Sequence, residues 1–219
     1  MKGLKMSRGD SLIISKSKIK PEYREVFLTA NHFHEEPNYW DLSSLTNWFD
    51  PSNPTNQIDE TVLKFLDDEG YDYSKNQIEY WFQHMHPGRE LAPHCDYNHK
   101  VREFKPGDDG EWIHQANKNE VMSPITIAIF LELTDLEGGE FAISRHTWFD
   151  EPRPLWLDDD TRVRIHDAGK ELYKPADDDV IYFEGSKYYH WIEPLTKGER
   201  KSMNINFWPR DYFIINTDK

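Results

Sequence analysis

"ITIAIFLEL", residues Ile125 to Leu133, is the stretch whose reading decides the fold. Its alternation sets Ile125, Ile127, Ile129, Leu131 and Leu133 on one face of an extended strand, with Thr126, Ala128 and Phe130 on the other. From Ile78 onward, segments of this kind recur between Gly, Pro and Asp, notably "DVIYFEG" and "SMNINFW", which is the punctuation of an all-β sandwich or barrel. Upstream, Ile58, Val62, Phe65 and Leu66 keep helical spacing, and Gly70 is placed to end that helix. The expected architecture is mainly β with flanking helices (α+β), a jelly-roll core of the double-stranded β-helix type. The expected organisation is one domain over 1–219, with 1–77 a mostly helical support and 78–209 the catalytic core.

The chain of 219 residues is long enough to bury one core without disulfides. Its aromatic content of 14%, with eight Trp, predicts a globular protein in which bulky side chains carry much of the burial. A net charge of −14 opposes binding to nucleic acid phosphates or to anionic lipid. The single cysteine, Cys95, cannot close an intrachain bridge, and it reads as a small core filler. The longest apolar run is far below the about 20 residues of a transmembrane helix, and the N-terminal apolar patch is too short for a signal-peptide core. A soluble, cytoplasmic protein is expected, with no membrane or nucleic acid partner; oligomeric state is not legible.

Chemistry concentrates at "APHCDYNH", residues 92 to 99. On a strand, His94 and Asp96 aim an imidazole and a carboxylate to one side while Cys95 faces the other, and Pro93 fits the start of that strand. His190, far along the chain, is a candidate to complete a two-histidine, one-carboxylate set with positions open on a ferrous ion, the alternative for such histidines being a surface or satisfied core position. In the strand that follows, Arg200, Ser202, Asn204 and Asn206 alternate with Lys201, Met203, Ile205 and Phe207. A polar face on so apolar a strand requires either solvent or a buried polar ligand, and Arg200 offers a fork for a carboxylate.

Taken in order, His94-Cys95-Asp96, "EGGEF" at 137–141, "VIYFEG", His190 and Arg200 within "KGERKS" resemble the iron(II)- and 2-oxoglutarate-dependent oxygenases, most of all the prolyl 4-hydroxylase type. The resemblance runs from about Ile78 to Pro209. It implies that His94, Asp96 and His190 hold Fe(II), that Arg200 grips the distal carboxylate of 2-oxoglutarate, and that Ser202 assists, with Asn204 on the same strand face. It further implies O2 as cosubstrate and, optionally, ascorbate. The implied substrate is a prolyl residue of a protein or peptide, with a free amino acid or small metabolite as the alternative.

This chain departs from the family pattern at the cosubstrate tyrosines. His86 in "HPG" stands where relatives often carry one of them, and Phe130 stands at the other and has no donor. Tyr80 or Thr126 is a candidate to compensate. Asn98 to Glu120 reads as a long loop between strands and a substrate lid, and 142–179, longer than the minimal family core, holds the aromatic-rich insertion "TWFDEPRPLW", either packing or a substrate wall.

A rival site exists in His84, His86 and Glu90, an H-x-H-x3-E spacing of the cupin kind. Pro87 and Gly88 interrupt the strand it needs, and Pro194 occupies the place of its expected Asn. A non-catalytic relative is a further alternative, although all three ligands and Arg200 are present. Asp96 argues against halogenation, which replaces that carboxylate by a small residue. The remaining histidines, His32, His34, His99, His114, His146 and His166, read as surface or loop residues.

Overall fold

A computed structural model describes residues 11–29, 47–96, 104–106, 112–114, 123, 125–147 and 159–209. In chain order these form β1 (Ile13–Lys18), α1 (Pro21–Leu28), β2 (Asn47–Phe49), α2 (Gln57–Asp68), β3 (Asn76–Met85), β4 (Leu91–His94), β5 (Phe104–Pro106) and β6 (Trp112–His114). There follow β7 (Thr126–Gly138), β8 (Phe141–Thr147), α3 (Asp159–Asp167), β9 (Lys170–Tyr173), β10 (Asp179–Phe183), β11 (Tyr188–Ile192) and β12 (Leu195–Pro209).

Antiparallel pairing builds a six-stranded sheet in the order β1-β10-β7-β12-β3-β2 and a four-stranded sheet in the order β4-β11-β8-β9. The two sheets share one buried cluster, with Met85, Ala128, Phe130, Ile181 and Phe183 from the larger and Phe141, Ile143, Tyr188 and Ile192 from the smaller. The back of the larger sheet packs on the helices: Phe27 of α1 and Val62, Phe65 and Leu66 of α2 meet Tyr80, Phe82, Ile127, Ile129, Met203 and Ile205. This is the expected jelly-roll sandwich with helices outside.

Helix α2 forms where the sequence predicts it. Asn56 caps it, its side chain accepting from the backbone N–H of Ile58 and Asp59 at 2.8 and 2.9 Å, and Gly70 leaves it with φ +74. The turn between β7 and β8 needs Gly138, at φ +79, because a Cβ there would strike the carbonyl oxygen of Pro194.

Several expectations change. Two strands, β1 and β2, come from the segment expected to be mostly helical and form the edges of the larger sheet. Leu133 does not share a face with Ile129 and Leu131. Lys201 pairs with Glu132 and Ser202 with Phe130, so β7 carries one extra residue at Leu131; beyond this bulge the facing parity flips and Leu133 packs with the inter-sheet cluster. Pro93 is the third residue of β4, not its start, and it is tolerated because β4 is an edge strand. Between Asn98 and Glu120, β5 and β6 pair as a short antiparallel ladder, so this stretch is not loop throughout. The rest of that expected lid, and most of "TWFDEPRPLW", lie outside the described residues, as do His32, His34 and His99.

Cys95, 3% exposed, packs behind the smaller sheet with Ala142, Ile165, Tyr189 and Trp191, as its parity predicts. No helix among the described residues is long and apolar enough to cross a membrane.

Candidate active site

His94 ends β4 and pairs directly with His190 of β11, so the two imidazoles stand side by side with ring centroids 4.4 Å apart. Asp96 lies just beyond β4 rather than within it. Its N–H donates to the carbonyl of Gly185 at 2.9 Å, which carries the carboxylate back toward the histidines. Asp96 Oδ1 is 3.6 Å from His94 Nε2 and 3.5 Å from His190 Nε2. The ligand atoms of all three residues lie within 4.8 Å of one another.

Each ring is turned by its own strand. His94 Nδ1 donates to Ala92 O at 2.9 Å and His190 Nδ1 to Tyr188 O at 3.1 Å, which turns both Nε2 atoms toward Asp96. Burial of Asp96 works against its charge, but His190, and then His94, outweigh it and hold the carboxyl well below the usual carboxylate range. Exposure differs across the set: the His94 side chain is 25% exposed and that of His190 6%, so the site opens on the β4 side.

Thr126 and Gly185 hold the carboxylate in place. Thr126 Oγ1 donates to Asp96 Oδ2 at 2.9 Å and lies 2.7 Å from the side-chain amide of Asn206. A hydroxyl has one proton to give, so the relay is complete when the amide NH2 faces Thr126 and donates to it. A Cβ on Gly185 would collide with Thr126 Oγ1 and stand 2.5 Å from Asp96 Oδ2. Thr126→Val should therefore lower iron affinity by about 10- to 100-fold, the usual effect of losing a partner behind a metal ligand. An anaerobic Fe(II) titration reads this directly, and unchanged affinity would mean that Thr126 does not position Asp96.

Arg200 stands on the inner face of the larger sheet. It is 2% exposed; its guanidinium carbon is 5.0 Å from the centre of the Phe130 ring, and its NH1 contacts the sulfur of Met85 at 3.4 Å. Among the described residues, Arg200 Nε and Ser202 Oγ, both buried, have no hydrogen-bond partner. Burial pulls the guanidinium pKa down to about 9, still well above neutrality, so the group is charged at pH 7. A buried cation and hydroxyl without partners are costly unless a ligand completes them, and a carboxylate does so with a fork of hydrogen bonds. The His190 ring is 4.9 Å from Phe183 and 5.9 Å from Phe141, which belong to the same cluster as Met85 and Phe130. Metal-type ligands and guanidinium thus border one inter-sheet interior.

The other candidates fare differently. Asn204 is half-buried on β12, in register with Ala128 and sharing the strand parity of Arg200 and Ser202. Tyr80 is not in the site: it points to the helices, where its hydroxyl donates to Asp59 at 2.9 Å. Thr126 is committed to Asp96. His86 lies past the end of β3 with its ring 4.1 Å from that of His84, on the side away from Met85 and Arg200. The cupin-type grouping fails, since the carboxylate gathered with His84 and His86 is Glu199, not Glu90. Reading the sequence put Asn206 on the polar face of its strand but not beside Thr126, and it missed Gly185 and Gln83, a buried residue opposite Ser202. Gln83 was legible in principle, as the polar partner of the Ile78, Tyr80, Phe82 stripe.

Two imidazoles and an ionised carboxylate that open on one side leave a ferrous ion room for further ligands, which is the chemistry of non-haem iron oxygenases rather than of a closed structural zinc. The family model described as the 2OG-Fe(II) oxygenase superfamily matches residues 80–208, more than half of the chain. The chain belongs to this superfamily of oxygenases that use Fe(II) and 2-oxoglutarate. Among solved structures it is similar to a prolyl-4-hydroxylase of Pseudomonas putida, with 14% identity, a TM-score of 0.49, and 90% of this chain and 84% of that chain covered. It is also similar to the viral collagen prolyl hydroxylase of Paramecium Bursaria Chlorella virus-1, with 16% identity, a TM-score of 0.45 and coverages of 95% and 98%. A prolyl hydroxylase from Trichoplax adhaerens, in complex with a hypoxia inducible factor peptide fragment, shows 9% identity, a TM-score of 0.44 and coverages of 90% and 80%. No curated protein matches the chain significantly.

Proposed function

We propose that the protein is an Fe(II)- and 2-oxoglutarate-dependent dioxygenase that hydroxylates an unactivated C–H bond, with a prolyl residue of a protein or peptide as substrate. The observation that carries the cosubstrate assignment is Arg200, a buried guanidinium beside Ser202 whose free donor calls for an anion. His94, Asp96 and His190 hold the iron, Arg200 and Ser202 grip the far carboxylate of 2-oxoglutarate, and Asn204 lines the same strand face. When bound, iron supplies the oxidation in which O2 and 2-oxoglutarate are consumed, succinate and CO2 are released and one oxygen atom enters the substrate; ascorbate serves as an auxiliary reductant.

This chain's own contribution is orientation and exclusion of water. The backbone carbonyls of Ala92 and Tyr188 fix the imidazole tautomers, Thr126 fixes the carboxylate, and Phe130 and Met85 form an apolar seat that keeps the guanidinium directed inward. The prolyl reading rests on the prolyl 4-hydroxylase-type order of its motifs, and the exposed edge of His94 gives a side chain on a polypeptide a route to the site.

The test is incubation of the Fe(II)-loaded protein with 2-oxoglutarate, O2 and prolyl peptides, proteins or free amino acids, followed by mass spectrometry. A one-oxygen gain on a prolyl residue, matched by succinate, is expected. Gain only on a free amino acid would replace the peptide reading, and failure to consume 2-oxoglutarate with any substrate would remove the enzymatic one.

A further inference from the structure

Among the described residues a second group carries metal-type side chains: His84, His86 and Glu199, whose ligand atoms lie within 4.8 Å of one another. His84 lies next to the end of β3 and His86 just beyond it. The β3–β12 ladder pairs His84 with Lys201 and Met85 with Arg200, which brings Glu199 level with the two imidazoles. His84 Nε2 is 3.2 Å from Glu199 Oε2, and His86 Nδ1 is 3.7 Å from Glu199 Oε1. Ligand atoms bonded at about 2.0–2.1 Å to a tetrahedral ion stand about 3.3 Å apart, a spacing these two contacts bracket.

We propose that His84, His86 and Glu199 form a second divalent transition-metal site, suited to zinc, separate from the iron centre. A hydrogen bond would account for one imidazole on this carboxylate, whereas here two imidazoles, with rings 4.1 Å apart, face its two oxygens. The His86 side chain is 35% exposed and that of Glu199 53%, so an ion reaches them from solvent and completes its shell with water. Lys201, the nearest cation in register, is engaged by Glu132 at 2.6 Å. For a nitrogen and oxygen donor set, zinc, nickel and copper bind more tightly than ferrous iron, and the triad has the same donor set, so zinc probes both sites. Glu199 immediately precedes Arg200 and His84 precedes Met85. An ion at the outer site therefore clips β3 to β12 on the reverse of the rung that seats the guanidinium.

Calorimetric titration of Zn2+ into the full chain tests the site. Two binding events are expected in the parent, because zinc also enters the iron site. His86→Ala and Glu199→Gln should each lose one event and keep the other, whereas Asp96→Ala should lose the other and keep this one. In the Asp96→Ala background, Zn2+ should raise the thermal midpoint, and adding His86→Ala should abolish that rise. The proposal is overturned if every binding event of the parent, whether one or two, survives His86→Ala and Glu199→Gln. The comparison of parent with His86→Ala decides the matter even if Asp96→Ala does not fold.

Discussion

Arg200→Met should sharply weaken 2-oxoglutarate binding while leaving the chain folded and at least as stable as the parent. Removing one partner of a buried charge pair costs about 2–5 kcal/mol, or roughly 30- to several-thousand-fold in Kd. Without ligand the balance reverses. The parent carries a 2% exposed guanidinium whose Nε has no partner, and an unbranched apolar side chain on Phe130 and Met85 removes that desolvation cost. Calorimetry with 2-oxoglutarate and thermal denaturation of the ligand-free protein read the two effects separately. A lower thermal midpoint with unchanged cosubstrate affinity would make Arg200 a structural residue.

The second large effect is expected at Asp96. Asp96→Ala removes the only carboxylate of the triad, and the loss of Fe(II) affinity should exceed the about 10- to 100-fold typical of outer partners such as Thr126. Oxygenase turnover should fall with it, whereas His84→Ala should leave iron binding at the triad intact. If Asp96→Ala retained iron and His84→Ala lost it, the catalytic metal would belong to the outer cluster.

The facing of His94 with His190 and the inward placement of Arg200 were legible because period-two alternation speaks directly to the side of a sheet. Asp96, by contrast, lies past the end of β4 and reaches the histidines through the bond of its N–H to the Gly185 carbonyl. The same rule, applied one strand earlier, would have placed Tyr80 correctly: Ile78, Tyr80 and Phe82 form one apolar stripe against Glu79 and Gln83, and that stripe faces the helices. Leu133 went astray because a bulge at Leu131 is a property of the pairing with β12, not of β7 alone. Strand β1, "IISKSK", was hidden because it is an edge strand with mostly exposed side chains and no apolar alternation. His86 was assigned by its place beside Pro-Gly, yet its neighbours are decided by the β3–β12 register, which brings in Glu199 from a distant part of the chain. Thr126 had the right face and the wrong partner; only the Gly185 carbonyl that accepts from the Asp96 N–H shows why the carboxylate arrives beside that hydroxyl.

The measurement that tests the central claim most directly is a crystal structure of the protein grown anaerobically with Fe(II) and 2-oxoglutarate. The account predicts the ion bound by His94 Nε2, His190 Nε2 and Asp96, with the far carboxylate of 2-oxoglutarate forked on Arg200 and touching Ser202. It would be contradicted by an ion held elsewhere with the triad unmetallated, or by 2-oxoglutarate bound away from the Arg200 guanidinium.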